Sequence, residues 1–280
     1  YAERRASPAA GTRLLPCHVE GPFLAPTRRG AHREDLLLDP TLERVQALID
    51  AGNDSLGYVT LAPEREGALT AIKTFTDAGV RVAVGHSDAS ATTVNAAVEA
   101  GATLVTHLFN AQSPLLPRAP GVVGAALTNP GLTLGLIADL HHVDAEAIRL
   151  AFAAAPGRVM LVTDNLAAFG MPPGEYELGG DLVRIVEGEP ARRIDGTIAG
   201  AASRLDTCVA NAIASGVSVE EAIAAVTSVP AAALGHHDLG HLRPGAAADF
   251  VLLGADDLRT RQTWIDGAQV FDRERLTVRD

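Results

Sequence analysis

The stretch GVRVAVGHSDASATTVNAAVEAGATLVTHLFNA, residues 79–111, holds the pattern that decides the fold. Val80–Val84 is a short apolar run that ends in a glycine and then His86. Ala91–Ala100 reads as a helix stopped by Gly101, and Thr103–Thr106 is a second apolar run, ending in His107. Two such runs flanking a helix are the mark of a βα repeat around a parallel sheet, whose strands are buried on both faces.

Outward from this unit the same punctuation recurs. Leu14–Val19 and Leu56–Leu61 precede it, and Leu132–Ala138 and Val159–Thr163 follow it, so that six strands are expected. Helices are expected at Thr41–Ala51, Gly67–Ala78 and Asp144–Ala155, with Asp144 a favourable N-cap and Gly79 a C-terminal stop. Beyond Asp164 the pattern changes: Phe169–Gly200, containing MPPG and several glycines, reads as a long loop or a small hairpin. Asp206–Ser215 and Val219–Val226 return to helix, and 239–270 reads as strands of a small β unit.

The chain of 280 residues carries 23 Lys+Arg against 34 Asp+Glu, a formal net charge of −11. That balance argues against a nucleic-acid or anionic-membrane partner held by bulk electrostatics. A 47% hydrophobic and 20% charged composition is that of a folded globular protein of one large domain or two ordinary ones. No apolar stretch reaches the roughly 18 residues of a membrane span, and the opening YAERRASPAAGTRLLP lacks a signal-peptide core, so a cytoplasmic location is expected. Cys17 and Cys208 have neither metal nor disulfide spacing and read as ordinary buried thiols.

Reactive groups stand at the ends of four of the strands: Glu20, His86, His107 and Asp164. In a barrel of parallel strands the carboxyl ends converge on one face, where catalytic groups gather. A single strand-end histidine is as often a hydrogen-bonded core residue. Four such groups together point to a site. One carboxylate and two imidazoles make a ligand set for Zn²⁺ or Fe²⁺ that leaves positions open for water and substrate. Asp164 then has the chemistry to take a proton from an attacking water and return it to a leaving group, although an aspartate there is also a good cap for the segment that follows. His32, Asn110, Ala111, Arg118 and the pair His141–His142 lie on loops at the same end and are candidates for substrate contacts. His236, His237 and His241 look like a metal cluster by composition, but their turn context reads as a solvated loop.

At these residues the chain resembles the N-acetylglucosamine-6-phosphate deacetylases of the metal-dependent amidohydrolase superfamily. The similarity runs in order through HVEGPFL at 18–24, RRGAH at 28–32, VTLAPE at 59–64, GHSDA at 85–89 and THLFNA at 106–111. It continues through RAPGVVGAAL at 118–127, IADLHHVD at 137–144, LVTD at 161–164 and GHLRPGAAADFVLL at 240–253. The resemblance implies an α/β fold, a (β/α)8 TIM-type barrel over residues 1–238 with six of its eight strands visible, and 239–280 as the C-terminal strands of a small β-sandwich. It also implies further chain upstream of Tyr1, carrying the family's first strands. An inactive remnant serving only as a binding or assembly module is the rival expectation.

Residue by residue, the resemblance implies Glu20, His86 and His107 as ligands of one or two divalent metal ions, Zn or Fe. It implies Asp164 as general acid/base and His32 as the group that polarises the acetyl carbonyl. Ala31, Asn110, Ala111 and His142 would line the sugar-phosphate pocket with Asp139, Leu140 and His141 along it, and Ile198, Ala199 and Gly200 would close over it. Arg118 would reach the phosphate in the neighbouring subunit of a homodimer. The implied reaction hydrolyses N-acetylglucosamine 6-phosphate to glucosamine 6-phosphate and acetate, with N-acetylgalactosamine 6-phosphate as the alternative substrate. Gln112, Ala119, Asn165 and Ala201 depart from the family's usual residues without removing any of these groups.

Overall fold

A computed structural model of the protein describes residues 14–276. Its first part alternates strand and helix: β1 (Cys17–Glu20), α1 (Leu42–Gly52), β2 (Leu56–Leu61), α2 (Ala68–Asp77), β3 (Arg81–Val84) and α3 (Ala91–Glu99). The alternation continues with β4 (Leu104–Val105), α4 (Gly121–Thr128), β5 (Thr133–Leu136), α5 (Ala145–Ala154) and β6 (Val159–Leu161). The six strands pair in chain order and all in parallel. Glu20 stands beside Thr60, Thr60 beside Ala83, and Val84 beside Val105, so the carboxyl ends of the strands form one rim.

Strands β2–β6 form because most of their side chains have no wet face, while β1, at the edge of the sheet, is half-buried throughout. Val59, Leu61, Val82, Val84, Leu104, Val105, Leu134, Leu136, Val159 and Leu161 are all buried. Ile72, Phe75, Val94, Ile148 and Phe152 from the helices join most of these in one core, while Leu104 packs in a smaller cluster with Ala83 and Met160. Each buried side chain of this size stabilises the fold by about 1.5–3 kcal/mol relative to exposure. The helices start where a side-chain oxygen meets a free amide: Thr41 accepts from Arg44, Ser90 from Thr93, and Asp144 from Glu146. Gly79 and Gly101 adopt positive φ, as the stops at those positions require.

Helix α4 has no counterpart among the sequence-based expectations. Its sequence GVVGAALT has two glycines and is buried on nearly every side, so it carries no amphipathic stripe to read. Arg158, at the start of β6, compensates for its weak end. Its guanidinium donates to the carbonyls of Ala126, Leu127, Asn129 and Leu132 at 2.6–3.2 Å, closing orphan acceptors at the helix C-terminus.

The stretch after Asp164 folds as a three-stranded antiparallel sheet, β7 (Gly174–Leu178), β8 (Asp181–Ile185) and β9 (Arg192–Arg193). Of the two readings of 169–200, the hairpin therefore holds, with a third strand added. Gly179 and Gly180 both have positive φ, which is the backbone a tight two-residue hairpin demands. Helices α6 (Leu205–Ala214), α7 (Val219–Ala224) and α8 (Ser228–Ala233) follow. The chain ends in a second antiparallel sheet, β10 (Phe250–Leu253), β11 (Thr260–Ile265) and β12 (Ala268–Asp272), and the short helix α9 (Arg273–Leu276). The backbone amide of Leu161 in β6 donates to the carbonyl of Ala225 just past α7. No helix among the described residues is long and apolar enough to cross a membrane.

Asp206 ties this last sheet to α6. It accepts from the Arg204 guanidinium at 3.0 and 2.7 Å and from the amide and hydroxyl of Thr260, both at 3.0 Å. Burial pushes the Asp206 carboxyl up, but the hydrogen bonds from Arg204 and Thr260 outweigh it and hold the group well below the ordinary carboxylate range. A depressed folded-state pKa gives stability that is complete above the unfolded value of about 4 and is lost as pH falls below it. Asp206→Ala is expected to lower unfolding stability at pH 7 by about 2–3 kcal/mol. In urea titrations the gap between wild type and variant should narrow between pH 5 and pH 3; a gap constant over that range would show that Asp206 contributes through packing alone.

Candidate active site

Glu20, His86 and His107 come from the ends of β1, β3 and β4. In a flat sheet β1 and β4 would stand about 14 Å apart, at about 4.8 Å per strand. Instead Glu20 Oε1 lies 3.1 Å from His107 Nε2 and 3.3 Å from His86 Nε2, and the two nitrogens are 3.0 Å apart. Curling of the sheet brings the three side chains together. Two ligand atoms each about 2.0–2.1 Å from a small cation, at angles of about 90–110°, sit about 2.9–3.4 Å from one another. The three atoms have the spacing of ligands on one divalent ion. A wider set, Glu20 with His32 and His86, has its ligand atoms within 4.8 Å of one another.

The donor chemistry fits a cation as well as the spacing does. His86 Nδ1 lies 2.8 Å from the Arg28 carbonyl, which can only accept, so Nδ1 carries the proton and Nε2 presents a lone pair. His107 Nδ1 is buried with no hydrogen-bond partner among the described residues, which leaves Nε2 as the ring's working atom. Burial pushes the Glu20 carboxyl up, but the adjoining rings of His107, His32 and His86 outweigh it and hold it far below the carboxylate range. For His107 burial favours the neutral ring, yet the hydrogen bond and charge of Glu20, with the charge of Asp164, raise its pKa. One carboxylate oxygen with two ring nitrogens beside it, each able to offer a lone pair, forms a site for a positive ion.

Asp164 follows β6 and shares the cavity of these groups. Burial raises its carboxyl above the ordinary range; the His107 charge opposes that shift and the Glu20 charge adds to it. His32 reaches the other oxygen of Glu20, with Nε2 3.2 Å from Oε2. Asp139 accepts from the amides of His141 and His142 and, through Oδ2, pairs with His142 Nδ1 at 2.7 Å. That pairing leaves His142 Nε2 free to face the cavity. Beneath the mouth, His18 stacks on Tyr58 at 3.9 Å and hydrogen-bonds to Thr60, which in turn bonds to Thr106. Burial, against the opposing charge of Glu20, lowers the His18 pKa to about 4, so this ring is neutral.

The backbone is strained where the functional side chains leave it. His86, His107, Phe109, Ala111, Leu140 and Asp164 all adopt positive φ without being glycine. Each such residue costs of order 1–3 kcal/mol and persists only where surrounding structure holds it. Their concentration on one rim marks the working end of the sheet.

The cavity at this rim measures about 700 Å³, within the range of small-molecule sites. It brings together Glu20, Ala31, His32, His86, His107, Asn110, Ala111, His142, Asp164, Ile198, Ala199 and Gly200. Asp139 is buried behind His142, while Leu140 and His141 are exposed outside the cavity lining. Arg118 is exposed and does not line it either. A second cavity of about 820 Å³ lies between the C-terminal sheet and the helices, among Val209, Ile223, Phe250 and Trp264. Its lining is largely apolar and contains none of the strand-end groups, so it is not the candidate site.

Comparison with known proteins agrees with this geometry. A model of the Amidohydrolase family matches residues 178–271. N-acetylgalactosamine-6-phosphate deacetylase of Escherichia coli O157:H7 is 38% identical over 268 residues, covering 95% of this chain and 71% of that protein. N-acetylglucosamine-6-phosphate deacetylase of Danio rerio is 38% identical over 270 residues, covering 93% and 67%. The crystal structure of N-acetylglucosamine-6-phosphate deacetylase from Pasteurella multocida superposes with a TM-score of 0.89 at 30% identity, covering 95% of this chain and 70% of that one. The chain belongs to the N-acetylglucosamine-6-phosphate deacetylase family. It spans about two thirds of the length of the curated relatives it matches. A mutant of the Mycobacterium smegmatis enzyme of this family, solved with N-acetyl-D-glucosamine-6-phosphate, superposes with a TM-score of 0.88 at 36% identity, covering 96% and 70%.

Within this family member the cavity also includes residues that sequence reasoning passed over. Thr27, Arg28 and Arg33 flank His32, and Leu178, Gly179 and Asp181 come from the β7–β8 turn. The basic pair before GAH was a signal for the first group. No sequence signal places the turn, which Arg193 ties down by donating to the Ala31 carbonyl at 3.0 Å while pairing with Asp181.

Replacing His86 or His107 with alanine is expected to lower the divalent metal retained after dialysis at least tenfold, by elemental analysis. Retention at the wild-type level in both variants would remove these residues as ligands.

Proposed function

We propose that the protein hydrolyses the N-acetyl amide of N-acetylglucosamine 6-phosphate, giving glucosamine 6-phosphate and acetate in amino-sugar catabolism. The convergence of Glu20, His86 and His107 at 3.0–3.3 Å, in one cavity with Asp164 and His32, is the observation that carries this reading. The names of the relatives and the bound sugar phosphate of the Mycobacterium smegmatis structure support the substrate class.

In this reading Glu20, His86 and His107 hold one or two divalent cations, Zn or Fe by their oxygen and nitrogen donors. Such an ion, when bound, supplies Lewis acidity to the carbonyl and to an attacking water. The protein's own groups do the rest. Asp164 takes one proton as the water oxygen bonds to the acetyl carbon, and it gives that proton to the amine as the carbon–nitrogen bond breaks. Burial, which raises the Asp164 carboxyl above its ordinary range, favours proton uptake in the first of these steps. His32 donates to the carbonyl oxygen as negative charge develops there. His142, aimed by Asp139, and the Asn110–Ala111 loop bind the sugar phosphate, and Ile198–Gly200 covers it.

The exposure of Arg118, away from its own chain's cavity, supports a role for it in the phosphate site of a neighbouring subunit in a homodimer. Beside the metal, the partner is a small-molecule amino-sugar phosphate, in keeping with a cytoplasmic catabolic enzyme. N-acetylgalactosamine 6-phosphate is the second reading, favoured by the 38% identity to the Escherichia coli O157:H7 protein of that name.

Acetate release from both sugar phosphates by metal-loaded protein decides the substrate; faster turnover of the galacto compound would transfer the assignment to it, and turnover of neither would end both. Asp164→Asn is expected to reduce kcat by about 10²–10⁴-fold or more with metal content unchanged. Loss of the metal in that variant would make Asp164 chiefly a ligand.

A further inference from the structure

His86 is aimed by a backbone carbonyl, and that carbonyl belongs to a loop that is itself gripped from the side. Residues 25–32 run from the end of β1 and carry His32. They meet the loop after β3 at three places. The Ala25 amide donates to the His86 carbonyl at 2.9 Å, and the Arg28 carbonyl accepts from His86 Nδ1 at 2.8 Å. The Arg28 guanidinium lies on Asp88, with Nε 3.0 Å and Nη2 2.9 Å from Oδ1. Arg28 thus holds the β3 loop with both its ends, at positions two residues apart. Thr27 Oγ1 also donates, more weakly, to the second oxygen of Asp88 at 3.4 Å.

Asp88 is in turn fixed from a third loop. Glu64, just past β2, accepts from the Ser87 hydroxyl at 2.7 Å and from the Asp88 amide at 2.5 Å. The circuit therefore runs through three successive βα loops and returns to the ring that it orients. An ion pair this exposed, with side chains 34% and 43% accessible, adds little to stability by itself. Its consequence is directional. Without the Asp88 anchor the Arg28 carbonyl is held only by the backbone of a short turn, and nothing else described accepts from His86 Nδ1.

We propose that Asp88 is a positioning residue for the metal site: through Arg28 it holds the carbonyl that keeps the proton on His86 Nδ1 and the lone pair of Nε2 aimed at the cation. This rests on the reading of Glu20, His86 and His107 as ligands. Partners of this kind, one step removed from a metal ligand, change metal affinity by 10–100-fold when lost. Asp88 acts one step further out, so about a tenfold effect is expected for its removal.

Two measurements test the proposal on wild type, Asp88→Ala and Asp88→Asn, the last of which keeps an acceptor oxygen for Arg28. The first is Zn²⁺ affinity by competition with a chromophoric chelator. The second is ¹⁵N NMR of the histidine rings in metal-free protein, where protonated and unprotonated ring nitrogens have distinct shifts. Wild type should show His86 as the Nδ1–H form. Asp88→Ala should show mixed tautomers at His86 and bind Zn²⁺ about tenfold more weakly, and Asp88→Asn should stay within threefold of wild type. Wild-type affinity and a pure Nδ1–H ring in Asp88→Ala would overturn the proposal, as would equal loss in both variants. If Asp88→Ala fails to fold, a wild-type spectrum lacking Nδ1–H at His86, or an Asp88→Asn variant that loses Zn²⁺ tenfold, overturns it instead. Wild type that binds no Zn²⁺ yet shows the expected tautomer would sink the ligand reading and the proposal with it, whereas tight wild-type binding isolates any failure to Asp88.

Discussion

A carboxylate mostly removed from water must meet hydrogen-bond donors or a cation, and Glu20 is ringed by three imidazoles that can supply the first or help to hold the second. His107 and His86 face one of its oxygens and His32 the other. These partners come from three different loops, after β4, β3 and β1, so the curl of the sheet and the path of each loop are bound up with satisfying one anion. The same arrangement that resolves the desolvation problem sets three ligand atoms at the spacing of a single ion.

Holding that arrangement requires backbone conformations that ordinary residues avoid. His86, His107 and Asp164 all leave their strands at positive φ, which turns each side chain out of the strand plane and over the rim. The stabilisation that offsets this strain lies below, in the apolar layer between strands and helices. Arg158 contributes there by closing the carbonyl end of α4, a helix with little intrinsic preference to form. Rigid support beneath and strained display above is a division of labour suited to a site that has to meet a small substrate with fixed geometry.

Much of the scaffold was legible from local pattern. The strand β2 and the helices around it lie within a residue or two of where periodicity and glycine stops put them, because apolar runs and caps act over a few neighbouring residues. Helix α4 was not legible, since a helix buried on all sides has no polar face to set a period. The sheet β7–β9 was only half legible: paired glycines announce a turn, but which segment pairs as the third strand depends on the return of the chain. Of the site, the four groups at strand ends and the loop residues His32, Asn110, Ala111 and His142 were legible as candidates, while the ties that hold the rim were not. No local pattern pairs Arg28 with Asp88, which lies 60 residues away in the chain.

The sequence by itself determined the order of the strands, the polar residue that ends each, and the chemistry available to them, because these are properties of neighbouring residues and side-chain type. The family motifs added the identity of the substrate class. Tertiary structure alone decided which of those residues meet. Glu20 and His107 are 87 residues apart in the chain and 3.1 Å apart in space, a distance set by sheet curvature. The same holds for the proton on His86: whether a ring nitrogen donates or accepts depends on what lies opposite it, and what lies opposite is a carbonyl brought from 58 residues away.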